Sequence, residues 1–414
     1  MRITILTYGS RGDVQPCLAL AAALQSQGHS PLLVLPAFLR LQADEMGIPA
    51  LSLPGDIAQL SQGLNQAGSN PLAIMREMKE TVEPVALDVA RIAWQACQGA
   101  DLVVHTFLFT LGAHAFARRL GIPDISAQFF PMFFPASGYP QLAFPELPLG
   151  RLYNRLTHHF ASALFCSSQR LMYPRIRRAL PDAPPRLPWP FRASGGRLAT
   201  PLLLAYSPAL VHPEPDWGAH VQQTGFWFLD PPTAYQPPHE LFDFLAAGTP
   251  PLCVGFGSMI HPNSSLLQKA LLDGLRQVGA RAVILTGWDG WTAAEEGPDR
   301  LFLPAAPHDW LFPRCAAILH HAGAGTTAAA LRSGRPNVVL PLAADQPFWA
   351  RRIYARGASP APLSARDLTV ARVAEAVRLA LESQHIRESA SALGVSIRQE
   401  DGLHKAVEII QRFS

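Results

Sequence analysis

Residues 316–331 constrain the fold of this chain more than any others. Ala316 to Leu319 is a short apolar run, and His320-His321-Ala322-Gly323-Ala324-Gly325-Thr326-Thr327 is a glycine-rich turn. Thr326 to Leu331 then continues as small, helix-compatible residues. Strand, glycine turn and helix in that order belong to a strand–helix–strand unit of a parallel sheet. Such a turn lets backbone N–H groups approach a phosphate, and the start of the helix favours negative charge. A histidine at the strand end adds a ring donor for the same oxygens. An ordinary connection that uses glycines only for geometry has the same pattern. The next apolar run, however, ends in Pro341-Leu342-Ala343-Ala344-Asp345-Gln346-Pro347-Phe348-Trp349. Two polar turns on consecutive strand ends point to a bound ligand.

The same alternation runs through the chain. Arg2 to Tyr8 reads as a buried parallel strand ending at Gly9, Val14 to Gln27 as a helix stopping at Gly28, and Pro31 to Leu35 as the next strand. Leu102 to Thr106 and the helical stretch Gly112 to Leu120 repeat it. A second series has strands near 251–256, 281–286, 300–303, 316–320 and 337–341. Two doubly wound α/β domains in tandem follow. The expected boundaries are 1–230, a proline-rich linker at 231–239, a second domain at 240–395, and a closing helix within 396–414. Pro181 to Pro190, with five prolines in ten residues, reads as a surface loop. Ten of the chain's 21 phenylalanines lie between Phe107 and Phe165, many in irregular sequence such as Phe129-Phe130-Pro131-Met132-Phe133-Phe134-Pro135. Core packing explains a single Phe. A cluster in irregular sequence is expected to line an apolar pocket, with Phe107, Phe129, Phe133 and Phe134 as its walls.

Composition narrows the function classes. A chain of 414 residues can bury two cores. With 49% hydrophobic and 16% charged residues it is not a disordered chain, and a formal charge of +3 is too small to argue for nucleic acid. Five cysteines, widely spaced and without a CxxC, suggest free thiols in a reducing compartment. No apolar run approaches the roughly 20 residues that span a bilayer. The N-terminus opens on a strand without signal-peptide architecture. The expected location is cytoplasmic, with peripheral contact to the inner membrane face compatible with the apolar composition.

The segment from His320 to Trp349 resembles the donor-binding motif of nucleotide-sugar glycosyltransferases of the GT-B fold. Within them it is most similar to the sterol glucosyltransferase branch and its natural-product relatives. Gly9-Ser10-Arg11-Gly12-Asp13-Val14-Gln15-Pro16, Gly225-Phe226-Trp227 and Gly255-Phe256-Gly257-Ser258-Met259 agree with it in the same order. The resemblance covers nearly the whole chain. It implies two Rossmann-like domains with the active site in the cleft between them, and a last helix that crosses back to the first domain. It also implies an inverting transfer of a sugar, glucose from UDP-glucose, to a hydroxyl of a lipophilic acceptor such as a sterol, terpenoid or polyketide aglycone. The small-molecule partners are thus the nucleotide sugar and an apolar acceptor, with no resident cofactor.

Such chemistry needs a base, stabilisation of the diphosphate leaving group and a held sugar. No Asp-x-Asp occurs in the chain, so no metal is expected and cationic or backbone donors must stabilise the diphosphate. The resemblance assigns this to His320, Gly323, Gly325 and Thr326, with Gly257 and Ser258 approaching from a neighbouring loop. His321 is expected to support the loop. Relatives usually have glycine where this chain has Ala322, and alanine is tolerated there if φ is negative. Asp345 and Gln346 are expected to bind sugar hydroxyls, although Asp345 also fits the cap of a helix beginning at Gln346-Pro347. Plant relatives stack the base on a Trp at the place of Ala305; here Trp288 is expected to stack, beside Ala306. The base is expected to be Asp13, which also fits a cap of the helix from Val14. His105 is an outside candidate. A UDP-sugar 2-epimerase of the same fold and a non-catalytic glycosyltransferase-like helper are the alternatives; retention of Asp13, His320 and Asp345 argues against the helper.

Overall fold

Among the described residues, the named strands all pair in parallel, so their residues alternate between two covered faces. The computed structural model describes all residues except 57–62, 64–70, 181, 193–198, 216, 230–234, 258–263, 288–296 and 414. These fall into two units. Unit 1 comprises Met1–Leu60, Ser69–Leu229 and Glu400–Ser414, and unit 2 comprises Ser61–Gly68 and Asp230–Gln399.

Unit 1 is built on seven strands: β1 (Arg2–Leu6), β2 (Ser30–Pro36), β3 (Ala50–Leu53), β4 (Leu102–His105), β5 (Asp124–Gln128), β6 (Leu202–Leu204) and β7 (Val221–Gln223). Their order is β3-β2-β1-β4-β5-β6-β7. On one face Ile3, Ile5, Leu33, Leu35 and Val104 pack against Val14, Leu18, Ala21 and Leu24 of helix Arg11–Ser26. The final helix, Gly402–Gln411, lays Ala406, Val407, Ile409 and Ile410 into this same core. The opposite face receives Thr4, whose hydroxyl donates to the Ala96 carbonyl of helix Ala86–Gln98. The short interruption between helices Gln384–Gln399 and Gly402–Gln411 coincides with the change from unit 2 to unit 1.

Unit 2 has β8 (Leu252–Gly255), β9 (Ala282–Leu285), β10 (Arg300–Leu303), β11 (Ala317–His320) and β12 (Asn337–Val339). The order is β10-β9-β8-β11-β12. Leu252 and Val254 face helices Ser264–Gln277 and Val370–Glu382, while Cys253 and Ile318 face helix Ala324–Ser333. All five cysteines are buried free thiols. Among the described residues, no helix is long and apolar enough to cross a membrane.

Two local expectations need correction. The first helix begins at Arg11 and not Val14, because Ser10 serves as its N-cap. Asp13 therefore sits in the third helical position. The phenylalanine-rich region is also less irregular than its composition suggests, since Phe160 and Phe165 lie on a 30-residue helix, Gly150–Ala179. Helical spacing there is masked by a low contrast between its faces: large apolar residues occur on the outer side as well as the inner.

Candidate active site

In parallel sheets of this kind, ligands bind beyond the carboxyl ends of the strands. In unit 2 those ends carry the predicted residues. His320 closes β11, in register with Gly255 of β8 and Val339 of β12. The chain then turns through 321–323 into helix Ala324–Ser333, whose N-cap is Gly323 with no side-chain cap. The N–H groups of Ala324, Gly325 and Thr326 have no acceptor within the helix. Gly323 to Thr326 are only half-buried, whereas the strand before them is fully buried. The open end of a helix dipole thus faces outward.

The turn is strained. Among the described residues, the non-glycine residues at positive φ are Ala322 (φ 65°) and Ala344 (φ 55°). A left-handed alanine costs about 1–2 kcal/mol. The condition under which alanine is tolerated without strain, a negative φ, is therefore not met at Ala322. The local cause is His320: its Nδ1 accepts the Ala322 N–H at 3.1 Å, which pulls the turn into this shape. With Nδ1 accepting, the ring proton sits on Nε2, which donates to Asn337 Oδ1 at 2.9 Å. Burial lowers the His320 pKa to about 4 despite the Asn337 bond, so the ring is neutral. Both its nitrogens are engaged inside unit 2. His320 shapes the turn that exposes the N–H groups.

Two polar atoms at this turn are buried without a hydrogen-bond partner: His321 Nδ1 and Thr327 Oγ1. Native structures rarely leave such atoms orphaned unless something else occupies them. Burial pushes the His321 pKa down to about 3, with His320 and His308 adding repulsion. Its ring lies between two glycines. A Cβ on Gly323 would come within 2.5 Å of His321 Nε2, and one on Gly257 (φ 62°) within 3.5 Å of its Cε1. Gly323 therefore makes room for His321, whereas Gly257 is favoured by its positive φ. The sequence pointed to His321 only as loop support; Gly323 beside that ring was the available signal.

The adjacent loop, after β12, carries Asp345 and Gln346. Asp345 is the N-cap of helix Gln346–Ala355, with Pro347 in its first turn, and its Oδ2 accepts the Trp349 indole N–H at 2.7 Å. Gln346 is buried, and its Oε1 accepts the N–H groups of Leu342 (2.8 Å) and Ala343 (3.1 Å). Asp345 stays half-exposed. Ser258 and Trp288 lie outside the described residues. Ala306 packs against the core around Leu285, Leu303 and Leu311.

In unit 1, Asp13 Oδ2 accepts from both the N–H and the hydroxyl of Ser10, each at 2.9 Å, forming a capping box. Gly9, at φ 145°, is required beside it, because a Cβ there would lie 2.5 Å from Asp13 Oδ2. Desolvation raises the Asp13 pKa, opposed by the two Ser10 hydrogen bonds. A raised carboxylate is a stronger base. The Thr7 hydroxyl donates to the Asp13 carbonyl at 3.3 Å.

The four predicted phenylalanines do not form one group. Phe107 and Phe133 do meet, with ring centroids 5.5 Å apart, and both touch Phe165. Phe133 also contacts Trp189 and Phe191. Phe134 instead packs on Trp217 and His220, and Phe129 belongs to the central core against Trp227. His105 is buried in a separate network. Its Nε2 donates to Asp124 Oδ2 at 3.1 Å, His114 Nδ1 lies 3.0 Å from the same oxygen, and the Thr200 hydroxyl donates to it at 3.2 Å. Burial would raise the Asp124 pKa, but the two histidines outweigh it and hold the carboxyl below the usual range.

With this geometry in place, comparison with known proteins is informative. Residues 3–134 match the glycosyltransferase family 28 N-terminal domain, and residues 270–404 match the erythromycin biosynthesis protein CIII-like C-terminal domain. The fold also matches the glycosyltransferase SsfS6 of Streptomyces sp. SF2575, solved with thymidine diphosphate, at a TM-score of 0.61 and 19% identity, covering 100% of this chain and 99% of that one. The chain belongs to the GT-B glycosyltransferases. More particularly, it is a homologue of the sterol 3-beta-glucosyltransferases. It is 30% identical over 428 residues to UGT80A2 of Arabidopsis thaliana, covering 99% of this chain and 65% of that protein. It is 31% identical over 433 residues to the enzyme of Neurospora crassa, covering 100% of this chain and 27% of that one. The chain thus spans less than two thirds of either relative.

Proposed function

We propose that this protein is an inverting glycosyltransferase that moves glucose from UDP-glucose to a hydroxyl of a lipophilic acceptor, without a metal. One observation carries the reading: strained turns at Ala322 and Ala344 on adjacent strand ends, the first opening onto an uncapped helix N-terminus with two orphaned polar atoms. Strain of this kind persists where binding uses it.

In the proposed reaction, the acceptor hydroxyl oxygen attacks C1 of the sugar as the bond from C1 to the diphosphate oxygen breaks. The hydroxyl proton passes to the Asp13 carboxylate, whose raised pKa suits it to that task. The departing diphosphate takes the electron pair, and the N–H groups of Ala324, Gly325 and Thr326 stabilise its charge. Gly323 and Gly257 let that backbone approach, with Ser258 on the same loop, and His320 acts by holding Ala322. Asp345 takes the sugar hydroxyls, and Gln346 fixes the loop that carries it. Trp288 stacks on the base, beside Ala306. Attack from the opposite face turns the α-glycoside of the donor into a β-glycoside. Phe107 and Phe133 contact the apolar acceptor; Phe129 and Phe134 support the surrounding fold.

The thymidine diphosphate bound to SsfS6 supports a nucleoside diphosphate as the ligand of unit 2. The sterol glucosyltransferase homologues support glucose and a sterol-like alcohol. The absence of Asp-x-Asp from the sequence supports metal independence. The test is incubation with UDP-glucose and a panel of apolar alcohols, with and without EDTA, and mass spectrometry of the products. A hexosyl product that survives EDTA is expected. No product with any acceptor, together with no UDP or TDP binding, would overturn the reading.

A further inference from the structure

Asp345 occupies the N-cap of helix Gln346–Ala355, yet its carboxylate does not cap that helix. The backbone there is already helical (φ −77°, ψ −12°), whereas a capping side chain typically rides on an extended backbone. The carboxylate is held instead from four residues on, by the Trp349 indole N–H at 2.7 Å. Residues four apart share a helical face. The Trp349 backbone N–H also donates to the Asp345 carbonyl at 3.2 Å, so the two residues are joined at main chain and side chain.

The two ends of the side-chain bond differ in exposure. Trp349 is fully buried and Asp345 is half-exposed, so a group inside the core fixes a carboxylate at the surface of the loop. The indole is itself fixed. Phe348 meets it edge to face with centroids 5.1 Å apart, and a large ring in a close-packed interior has little freedom. A buried indole N–H needs some acceptor, and a neutral one is enough. Trp217 uses the Pro135 carbonyl at 3.1 Å, and Trp227 the Thr224 hydroxyl at 2.9 Å. Trp349 takes a carboxylate, which is costlier to desolvate. The strained Ala344 (φ 55°) and the two N–H groups held by Gln346 fix the backbone just before it. Backbone and carboxylate are thus both held at one strand end, which satisfying a single indole does not require.

We propose that Trp349 is a positioning residue for the donor hexose: its N–H sets the orientation in which the Asp345 carboxylate meets the sugar hydroxyls. Fully buried, it acts through Asp345 and not on the ligand itself. The inference rests on the reading of Asp345 as the sugar contact, and goes beyond it by assigning the carboxylate's orientation to a residue of the core. Without the indole N–H the carboxylate spreads over several rotamers, and binding has to select one of them. The sugar part of the ligand bears that loss, and the nucleotide does not.

The experiment is calorimetric titration of the full chain with UDP-glucose and, separately, with UDP. Trp349→Phe is expected to weaken UDP-glucose about tenfold and UDP less than about twofold. Asp345→Ala is expected to do the same. The double variant should lose no more than either alone, because residues acting as one unit are not additive. A benzothiophene side chain at position 349 keeps the bicyclic shape and lacks the N–H, so it gives the same comparison if Trp349→Phe does not fold. A clear loss in Asp345→Ala beside unchanged affinity in Trp349→Phe would overturn the inference and leave the sugar contact standing. Unchanged UDP-glucose affinity in Asp345→Ala would remove the sugar contact, and the inference with it. Equal weakening of UDP and UDP-glucose by Trp349→Phe, or additive losses in the double variant, would also overturn it, leaving the indole a structural role only.

Discussion

β4 and β11 occupy the same place in their sheets, each beside the first strand of its unit, and each ends in a fully buried histidine. His105 aligns with the last residue of β1, and His320 with the last residue of β8. Both reach back to the first residue of the next strand, Asp124 in β5 and Asn337 in β12. Both following helices end at a left-handed glycine, Gly121 and Gly334. The scaffold is thus duplicated, while the loops it carries differ. After His105 comes a short turn, Phe107–Phe109, that presents aromatic rings. After His320 comes a strained turn that presents N–H groups. One framework therefore presents aromatic rings in unit 1 and open helix N–H groups in unit 2, and the strand-end histidine is a tether in both. The tethers also differ in charge. Asp124 is an ionised hub that joins two histidines and Thr200, whereas Asn337 is a neutral partner of one.

The largest effect should come from the acceptor side. Asp13→Asn keeps an oxygen for the Ser10 cap but cannot take a proton, so transfer should fall by roughly two to four orders of magnitude. Stability and UDP affinity should stay near the parent's. The parent's transfer rate should also decline as pH falls through the raised Asp13 pKa, above the ordinary carboxylate value of about 4. Normal transfer by a stable Asp13→Asn protein would break the division of labour between the units.

Next come the two hubs. Asp124→Ala strips a buried carboxylate from two histidines and should cost about 3–5 kcal/mol in denaturant unfolding. Asn337→Ala should cost about 1–3 kcal/mol, since only neutral partners lose their bonds. Equal losses would mean that charge is not what separates the two tethers.

His320→Ala leaves Asn337 Oδ1 and the Ala322 N–H unpaired, so about 2–3 kcal/mol of stability and much of the UDP affinity should be lost together. Lost affinity at an unchanged melting temperature would instead place the ring directly on the phosphates.

The pH dependence has a definite sign. The His320 pKa is lowered on folding from about 6.5 to about 4, so the unfolded chain binds the proton first as pH falls. Its contribution is complete above pH ~6.5 and is lost towards pH ~4, with about 2 kcal/mol gone by pH ~5. His321 shifts in the same direction. Unfolding measured at pH 7 and pH 5 should show the loss, and His320→Ala should flatten the slope.

The smallest effect is expected at Ala322→Gly, where relief of a left-handed alanine is partly offset by a looser unfolded chain. A net gain of about 0.5–1 kcal/mol in thermal unfolding is expected. A loss would mean that the Ala322 methyl, fully buried, contributes more by packing than its backbone costs.

What the sequence determined by itself is whatever depends on near neighbours along the chain. Runs such as Arg2–Leu6 and Ala317–His320 are mostly apolar with little alternation, as strands buried on both faces require. The small residues from Thr326 announced a helix, which starts two residues earlier at Ala324, and Asp345 followed by Gln346-Pro347 announced another, which starts at Gln346 as expected. The four-motif resemblance rests on the same local segments. Only the tertiary structure decided how distant residues were spent. The bond between His320 and Asn337 spans 17 positions, and the one between Thr200 and Asp124 spans 76. Neither can be read from spacing, because register between parallel strands is set by packing across the whole sheet. The same holds for Ala322, whose positive φ comes from a histidine already committed elsewhere, and for Phe129 and Phe133, four residues apart yet in different clusters. Local propensity acts within a turn or two of chain, while side-chain partners are chosen by the fold that brings them together.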